Sequence, residues 1–307
     1  MRILITGANG FVGNSLESWL EEQGYQLYLA SRNGHSGSAK SIAMGNIETF
    51  DEWNKHLVDI DIVIHLAARV HQMDDEDNTG LLYQRTNVEA TVRLAEAAAE
   101  CRIKRFIFLS TIKVNGEATL KGEAFLATDP PAPQDAYGES KLQAELALKK
   151  IASSSAMELV IIRPPLVYGP GVKANFSRLV ELAQGGMPVP FAGISNYRNM
   201  VSVNNLCDLI AHCIDNPRAA GGTFLVSDDK AYSTADIIRE VRSILGLPHR
   251  LFYFPPDILK LLLTLVGKRA VAERLLSNIE VDITLTTKTL DWTPKYTLQQ
   301  TLKKMLT

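Results

Sequence analysis

Tyr137 and Lys141 stand four residues apart, a spacing that places two side chains on one face of a helix. Pro133, Gln134 and Asp135 supply a helix start just ahead of them. Moving a hydride to or from a carbinol carbon needs a partner for the hydroxyl proton. A free tyrosine, with a pKa of ~10, is a poor base at neutral pH. A lysine ammonium and an oxidised nicotinamide nearby favour the phenolate and lower that pKa. The same pair also fits an ordinary surface helix, so its meaning depends on what lies upstream.

Upstream, Thr6-Gly7-Ala8-Asn9-Gly10-Phe11-Val12-Gly13 lies between an apolar run and a helical pattern. Gly7 permits a tight turn, Gly10 lets the backbone approach a pyrophosphate, and Gly13 allows close helix–strand packing. The following helix offers free N–H groups and the positive end of its dipole to phosphates. Gly7, Asn9, Gly10, Phe11, Val12 and Gly13 are therefore candidate NAD(P) contacts, against the alternative of a glycine-rich turn with no ligand.

These residues must be held by a framework. Ile3–Ile5, Leu27–Leu29, Ile62–Ile64, Phe106–Leu109 and Leu159–Ile162 read as buried strands. Between them, Val12, Leu16 and Leu20 repeat at helical spacing, with Gly24 suited to the helix end. Val88, Val92 and Ala95 mark a second helix, and Leu142 and Leu146 a third. The alternation predicts a parallel sheet covered on both faces, a doubly wound α/β fold. Past Pro164-Pro165 glycine and proline cluster, and one more strand, Thr223–Val226, precedes a largely helical stretch. The expected division is 1–168 for cofactor, with 201–227 returning to it, and a smaller lobe within 169–307, mainly 169–200 and 228–307.

Composition narrows the classes. The chain of 307 residues has a formal charge of -2, which gives no bulk electrostatic reason to bind nucleic acid or an anionic membrane. Cys101, Cys207 and Cys213 match neither a metal site nor a disulfide framework, so a reduced, cytoplasmic setting is expected. Ile3–Ile5 meets the glycine loop at once, leaving no room there for a signal peptide. Ile258–Val266 is too short to span a bilayer and carries Lys260, so it reads as a buried or amphipathic helix. No metal is expected; Asp74–Asp77 reads as a solvated acidic loop.

The glycine spacing resembles the extended short-chain dehydrogenase/reductases, and the likeness runs along most of the chain. Asp61–Ala68 is similar to their DxVxHLAA, Asn87–Thr91 to NVxGT, Tyr137–Lys141 to YxxxK, Arg163–Pro170 to RPxxxYGP and Leu290–Pro294 to LGWxP. The nearest resemblance is to the NAD(P)-dependent epimerase/dehydratase group, UDP-glucose 4-epimerase-like. It implies a Rossmann-type cofactor domain, a UDP-sugar substrate, hydride exchange at C4 and a homodimer. Cofactor contacts are implied at Leu66, Ala67, Ala68, Asn87 and Pro164, besides Tyr137 and Lys141; for Asn87 a purely structural role stays open.

Ser110–Gly116 resembles SSxxVYG, which implies Thr111 as the third catalytic residue and sugar contact, with Ser110 as the alternative hydroxyl. Ile112 and Lys113 replace the Asp-Glu pair of the family's 4,6-dehydratases, so dehydration is not expected. Arg198 matches the arginine that contacts substrate diphosphate, and Asn175 a nucleotide-facing asparagine. Arg274 is a candidate second phosphate contact, with Arg269 undecided beside it. Arg69 and His71 either line the substrate mouth or belong to a solvated loop. Leu166 departs from the family's RxxNxYGP, where asparagine reaches the substrate.

At the end of the second strand, Ser31-Arg32 stands where NAD-dependent relatives place an acid. Arg32 can pair with a 2′-phosphate, so NADP is tolerated or preferred if it does, or it stacks on adenine or faces water. Arg32 and Leu166 tilt the expectation slightly towards a 4-keto reductase acting on a UDP-hexose or UDP-N-acetylhexosamine. The alternative is a UDP-glucose 4-epimerase with resident NAD, and a more distant one a non-catalytic NADP sensor.

Overall fold

The apolar runs become parallel strands because both of their faces are buried, leaving no side to turn towards water. The computed structural model describes residues 1–35, 39–70, 79–173, 175–228, 230–267, 272 and 275–307. Its strands are β1 (Arg2–Thr6), β2 (Gln26–Ser31), β3 (Lys40–Ala43), β4 (Ile62–His65), β5 (Arg105–Leu109), β6 (Glu158–Arg163), β7 (Leu166–Tyr168), β8 (Met200–Ser202) and β9 (Thr223–Leu225). Seven of them form one all-parallel sheet in the order β3-β2-β1-β4-β5-β6-β9. Ile3 pairs with Leu27 on one side and Ile62 on the other, so strand order reverses between β1 and β4. The crevice at the carboxyl ends of those two strands is where such sheets take ligands.

Helices cover both faces. On one, Leu16 and Leu20 of α1 (Phe11–Glu22) share a core with Leu206, Leu209 and Ile210 of α7 (Val203–His212). On the other, Trp53 and Leu57 of α2 (Trp53–Leu57), Leu94 of α4 (Ala90–Glu100) and Leu148 of α5 (Ala136–Ser153) pack on Leu4, Val63 and Phe106. Each fully buried leucine or isoleucine contributes roughly 1.5–3 kcal/mol. Between β4 and α4, the chain forms α3 (Thr79–Tyr83) and a π-helical turn, Gln84–Glu89.

A third core gathers Tyr168, Phe176 and Val180 of α6 (Asn175–Gln184), Ile238 and Val241 of α8 (Thr234–Ile244), and Leu298 and Leu302 of α11 (Leu298–Leu306). The short parallel pair β7–β8 borders it. Thr286 of α10 (Thr284–Leu290) donates to the Leu225 carbonyl, tying the C-terminal segment to the β9 edge. In α9 (Pro256–Leu265), no residue is buried, and Ile258, Leu261, Leu262 and Leu265 lie along an exposed stripe. This is the amphipathic form expected there, with its apolar side uncovered among the described residues. No helix among them is long and apolar enough to cross a membrane.

Candidate functional site

The glycine loop follows β1 directly. Gly7 has φ +75°, and a Cβ on it would lie 2.7 Å from the Ala67 nitrogen. A Cβ on Gly13 would lie 2.4 Å from the Gly7 carbonyl oxygen and 2.5 Å from that of Ala8. Gly10, exposed, forms the N-cap of α1 with no side-chain cap and no acidic residue in the first turn. The unsatisfied N–H groups and positive dipole end of α1 are thus left for an outside anion, which fits a dinucleotide pyrophosphate. Phe11 and Val12 are partly buried in that first turn. Across the crevice Leu66 N–H donates to the Thr6 carbonyl, fixing the start of the Leu66-Ala67-Ala68 segment beside the loop.

At the end of β2, Asn9 binds the turn that follows. Its Nδ2 donates to Ser31 Oγ (3.1 Å) and the Gly34 carbonyl, and its Oδ1 lies 2.6 Å from His35 Nδ1. His35 Nε2 is 2.9 Å from Glu17 Oε1 of α1. Ser31 is buried, its hydroxyl donating to the Gly34 carbonyl at 2.7 Å. Arg32 is exposed, with no acid in its place. His35 and Glu17 carried no signal in the sequence, because their pairing exists only once β2 turns back over α1.

The Tyr–Lys pair sits in the first two turns of α5, which Asp135 caps by accepting from Gly138 N–H at 2.7 Å. Gly138 is pressed onto the turn after β5: a Cβ there would lie 2.9 Å from the Lys113 carbonyl oxygen. That turn, Ile112–Val114, is capped by Thr111, whose Oγ1 accepts from Lys113 N–H at 3.3 Å. The neighbouring Ser110 is otherwise engaged, donating to Glu145 Oε1 at 2.5 Å within the core.

Tyr137 is partly exposed, with its ring 5.9 Å from that of Tyr83. Burial raises its pKa, and Asp135 and then Tyr83 add to the effect. Lys141 is 1% exposed, and its Nζ lies 3.9 Å from the centroid of the Phe108 ring. Burial pushes its pKa down to about 7, with the Glu145 carboxylate opposing. His65 stacks on Phe108 and is held between Thr6 Oγ1 (2.6 Å) and Thr91 Oγ1 (2.9 Å). Burial, then the charge of Lys141, lowers its pKa to about 3, so it is neutral at physiological pH.

Beneath these groups lies a buried ion pair that the sequence did not announce. Arg163 of β6 grips Glu145 of α5 with two bonds, Nε at 2.9 Å and Nη2 at 2.5 Å, and reaches Asn115 with Nη1. Asn87, in the π-helical turn, is also buried. Its Oδ1 accepts from Arg69 N–H, while its Nδ2 donates to the Arg69 carbonyl and to Ser140 Oγ of α5. Pro164, buried at the end of β6, accepts from Ile112 N–H and so also supports the Thr111 turn.

Past the central sheet in the chain, Arg198 bridges Tyr232 and Ile279, and its Nη1 donates to Ser277 Oγ at 3.3 Å. The segment beginning at Ile279 also packs on Ile112 through Val281 and Ile283, which links Arg198's surroundings to the Thr111 turn. Asn175 is exposed at the start of α6, and Leu166 is 45% exposed at the start of β7. Arg274, Arg269, His71 and Asp74–Asp77 lie outside the described residues. Among the described residues, no group of three His, Cys, Asp or Glu could hold a metal.

Comparison with known proteins follows the same lines. A "UDP-glucose 4-epimerase" of Vibrio cholerae is 44% identical over 306 residues, 98% of this chain and 93% of the relative. A lipid-linked N-acetylglucosaminyl-diphospho-undecaprenol 4-epimerase of Escherichia coli O157:H7 is 26% identical over 80% of this chain and 72% of the relative. Among solved structures, the UDP-glucuronic acid 4-epimerase of Bacillus cereus with NAD shares the fold at 23% identity, with a TM-score of 0.79 over 99% of this chain and 95% of the other. The UDP-glucose 4-epimerase of Thermotoga maritima with UDP-glucose does so at 22% identity, with a TM-score of 0.80 over 100% and 97%. Residues 3–227 match the family described as "NAD dependent epimerase/dehydratase family". The glycine loop, the Tyr–Lys helix and this match together make the chain a member of the NAD-dependent epimerase/dehydratase family, an enzyme of the extended short-chain dehydrogenase/reductase type.

Proposed function

We propose that the chain exchanges a hydride at C4 of a UDP-sugar, with Thr111, Tyr137 and Lys141 as its catalytic residues. The observation that carries this reading is Lys141: a lysine buried one helical turn from a tyrosine, its pKa drawn to about 7. Thr111 Oγ1 donates a hydrogen bond to the C4 oxygen and strengthens it as charge develops there. Tyr137 Oη takes the C4 hydroxyl proton during oxidation and gives it back during reduction. Burial resists the phenolate, and a Lys141 ammonium favours it. When bound, NAD(P) supplies the centre that accepts and returns the hydride. Gly10 leaves room for its pyrophosphate in a loop whose turn and tight packing Gly7 and Gly13 permit, and Asn9, Ser31 and Arg32 form the rim on its adenosine side.

Epimerisation is the outcome named for the relative at 44% identity. A second reading, a 4-keto reductase that exchanges its cofactor, is favoured by exposed Arg32 in place of an acid and by Leu166 in place of asparagine. A UDP-hexose or UDP-N-acetylhexosamine suits either outcome. Segments 169–200 and 228–307 form the substrate lobe in this proposal, with Arg198 the diphosphate clamp and Asn175 a nucleotide contact. A reduced, cytoplasmic setting, which suits three free cysteines, and a homodimer are part of the same proposal.

The test compares wild type with Tyr137→Phe on UDP-glucose and UDP-N-acetylglucosamine without added cofactor, and on a 4-keto-6-deoxy UDP-sugar with NADPH. The variant is expected to lose at least ~100-fold in kcat, with cofactor affinity preserved. Near wild-type turnover would overturn the assignment. Turnover confined to the keto-sugar with reduced cofactor selects the reductase, and turnover without added cofactor the epimerase.

A further inference from the structure

Lys113 occupies the position where the dehydratase pattern carries an acid, yet it does not point idly into solvent. Its Nζ lies 2.5 Å from Asp135 Oδ2 and 2.9 Å from Glu117 Oε1. The other oxygen of the same Asp135 carboxylate accepts from Gly138 N–H and starts α5. The two oxygens of one carboxylate thus join the Lys113 ammonium to the first turn of the helix that carries Tyr137. The Lys113 backbone meets that turn as well, since its carbonyl oxygen fills the space where Gly138 has no Cβ. We propose that Lys113 is a positioning residue for Tyr137, its ammonium holding Asp135 in place and offsetting that carboxylate's charge at the phenol.

The electrostatics agree in sign. The groups bearing on the phenol are Asp135 at the helix cap and Tyr83 of α3, with Lys141 one turn further along α5. Asp135 disfavours the phenolate; a cation beside Asp135 reduces that effect. Burial works against the charge on Lys113, but its bonds to Asp135 and Glu117 outweigh this and raise its pKa. It therefore remains an ammonium throughout the range in which the enzyme is assayed. Asparagine caps a helix about as well as aspartate, so the carboxylate charge can be removed while the cap is kept.

The inference rests on Tyr137 being the proton-transfer group, and opposite signs separate it from a packing role. In Lys113→Met, Asp135 loses this cation. The limb of the kcat–pH profile assigned to Tyr137 should move alkaline by about half a pH unit, roughly a threefold loss at fixed pH on that limb, with little change in KM. Lys113→Arg should restore the limb. Asp135→Asn should move it to lower pH, and the double variant Lys113→Met/Asp135→Asn should return it towards wild type. A tyrosinate absorbance titration, with Tyr137→Phe as the blank, should show the same order without turnover. Shifts in one direction for both single variants, or no shift in either, would overturn the role of Lys113. An active Tyr137→Phe would instead overturn the catalytic reading beneath it.

Discussion

Replacing Lys141 with methionine should make the ligand-free protein more stable while abolishing its activity. The native state holds this amine at 1% exposure with its pKa near 7, against 10.5 for a free lysine. At ~1.4 kcal/mol per pH unit, keeping it charged inside the protein costs at most about 5 kcal/mol. The cation–π contact with Phe108, 3.9 Å from the ring centroid, is lost in the variant and was worth about 2 kcal/mol in a desolvated setting. Methionine keeps most of the apolar stem, so a net gain of about 3 kcal/mol is left. Its pH dependence identifies the cause. Above about pH 10.5 the amine is neutral in both states and costs nothing. Between there and pH 7 the unfolded chain binds a proton that the native state lacks, so wild-type stability rises with pH. Below pH 7 the cost is complete. Urea unfolding at pH 6.5 and 9.5 should therefore show the advantage of Lys141→Met shrinking at the higher pH. A variant less stable than wild type at pH 6.5, or a difference that stays flat with pH, would refute the reasoning.

Arg163→Met should destabilise the protein by about 3–5 kcal/mol, because Glu145, fully buried, is left without its cation. Adding Glu145→Leu should recover much of that loss in urea unfolding, and no recovery would show that the pair is not acting as a unit. Arg32→Ala should weaken NADPH by one to two decades, roughly 1.5–3 kcal/mol, and leave NADH nearly unchanged in paired fluorescence titrations. Equal, small effects on both cofactors would mean that Arg32 faces water, and the argument for a reductase would lose its main support.

What could be read from the sequence was what is local in it. The glycine loop and the Tyr137–Lys141 pair work through spacings of three and four residues, which turns and helices convert directly into geometry. The central strands announced themselves as apolar runs. By contrast, β3 buries only Ile42, and β7 and β8 have three residues each, too short for any period to emerge. The support for the site was hidden for a different reason. Ser110, Glu145 and Arg163 are up to 53 residues apart in the chain, and neither the buried carboxylate nor the arginine has a partner until β5, β6 and α5 assemble. The resemblance put Thr111 ahead of Ser110, but the bond from Ser110 to the Glu145 carboxylate was not legible in the sequence. Asn87 was visible as part of a motif, but its bonds to Arg69 and Ser140 follow from the π-helical turn that aims its amide.

That amide has a kinetic consequence. Asn87 ties the segment after β4 to the helix bearing Tyr137: two hydrogen bonds join it to Arg69 and a third, buried, to Ser140. Parting the amide from both neighbours at once would forfeit about 1 kcal/mol for each of the three bonds, so the fully released form amounts to on the order of one molecule in a hundred. The floor of the crevice is therefore assembled before any ligand arrives. Association need not wait for it to form, and the slow events of a catalytic cycle are left to other parts of the crevice. Deuterium entering at the Arg69 amide, which must wait for that rare parting, would report its frequency directly.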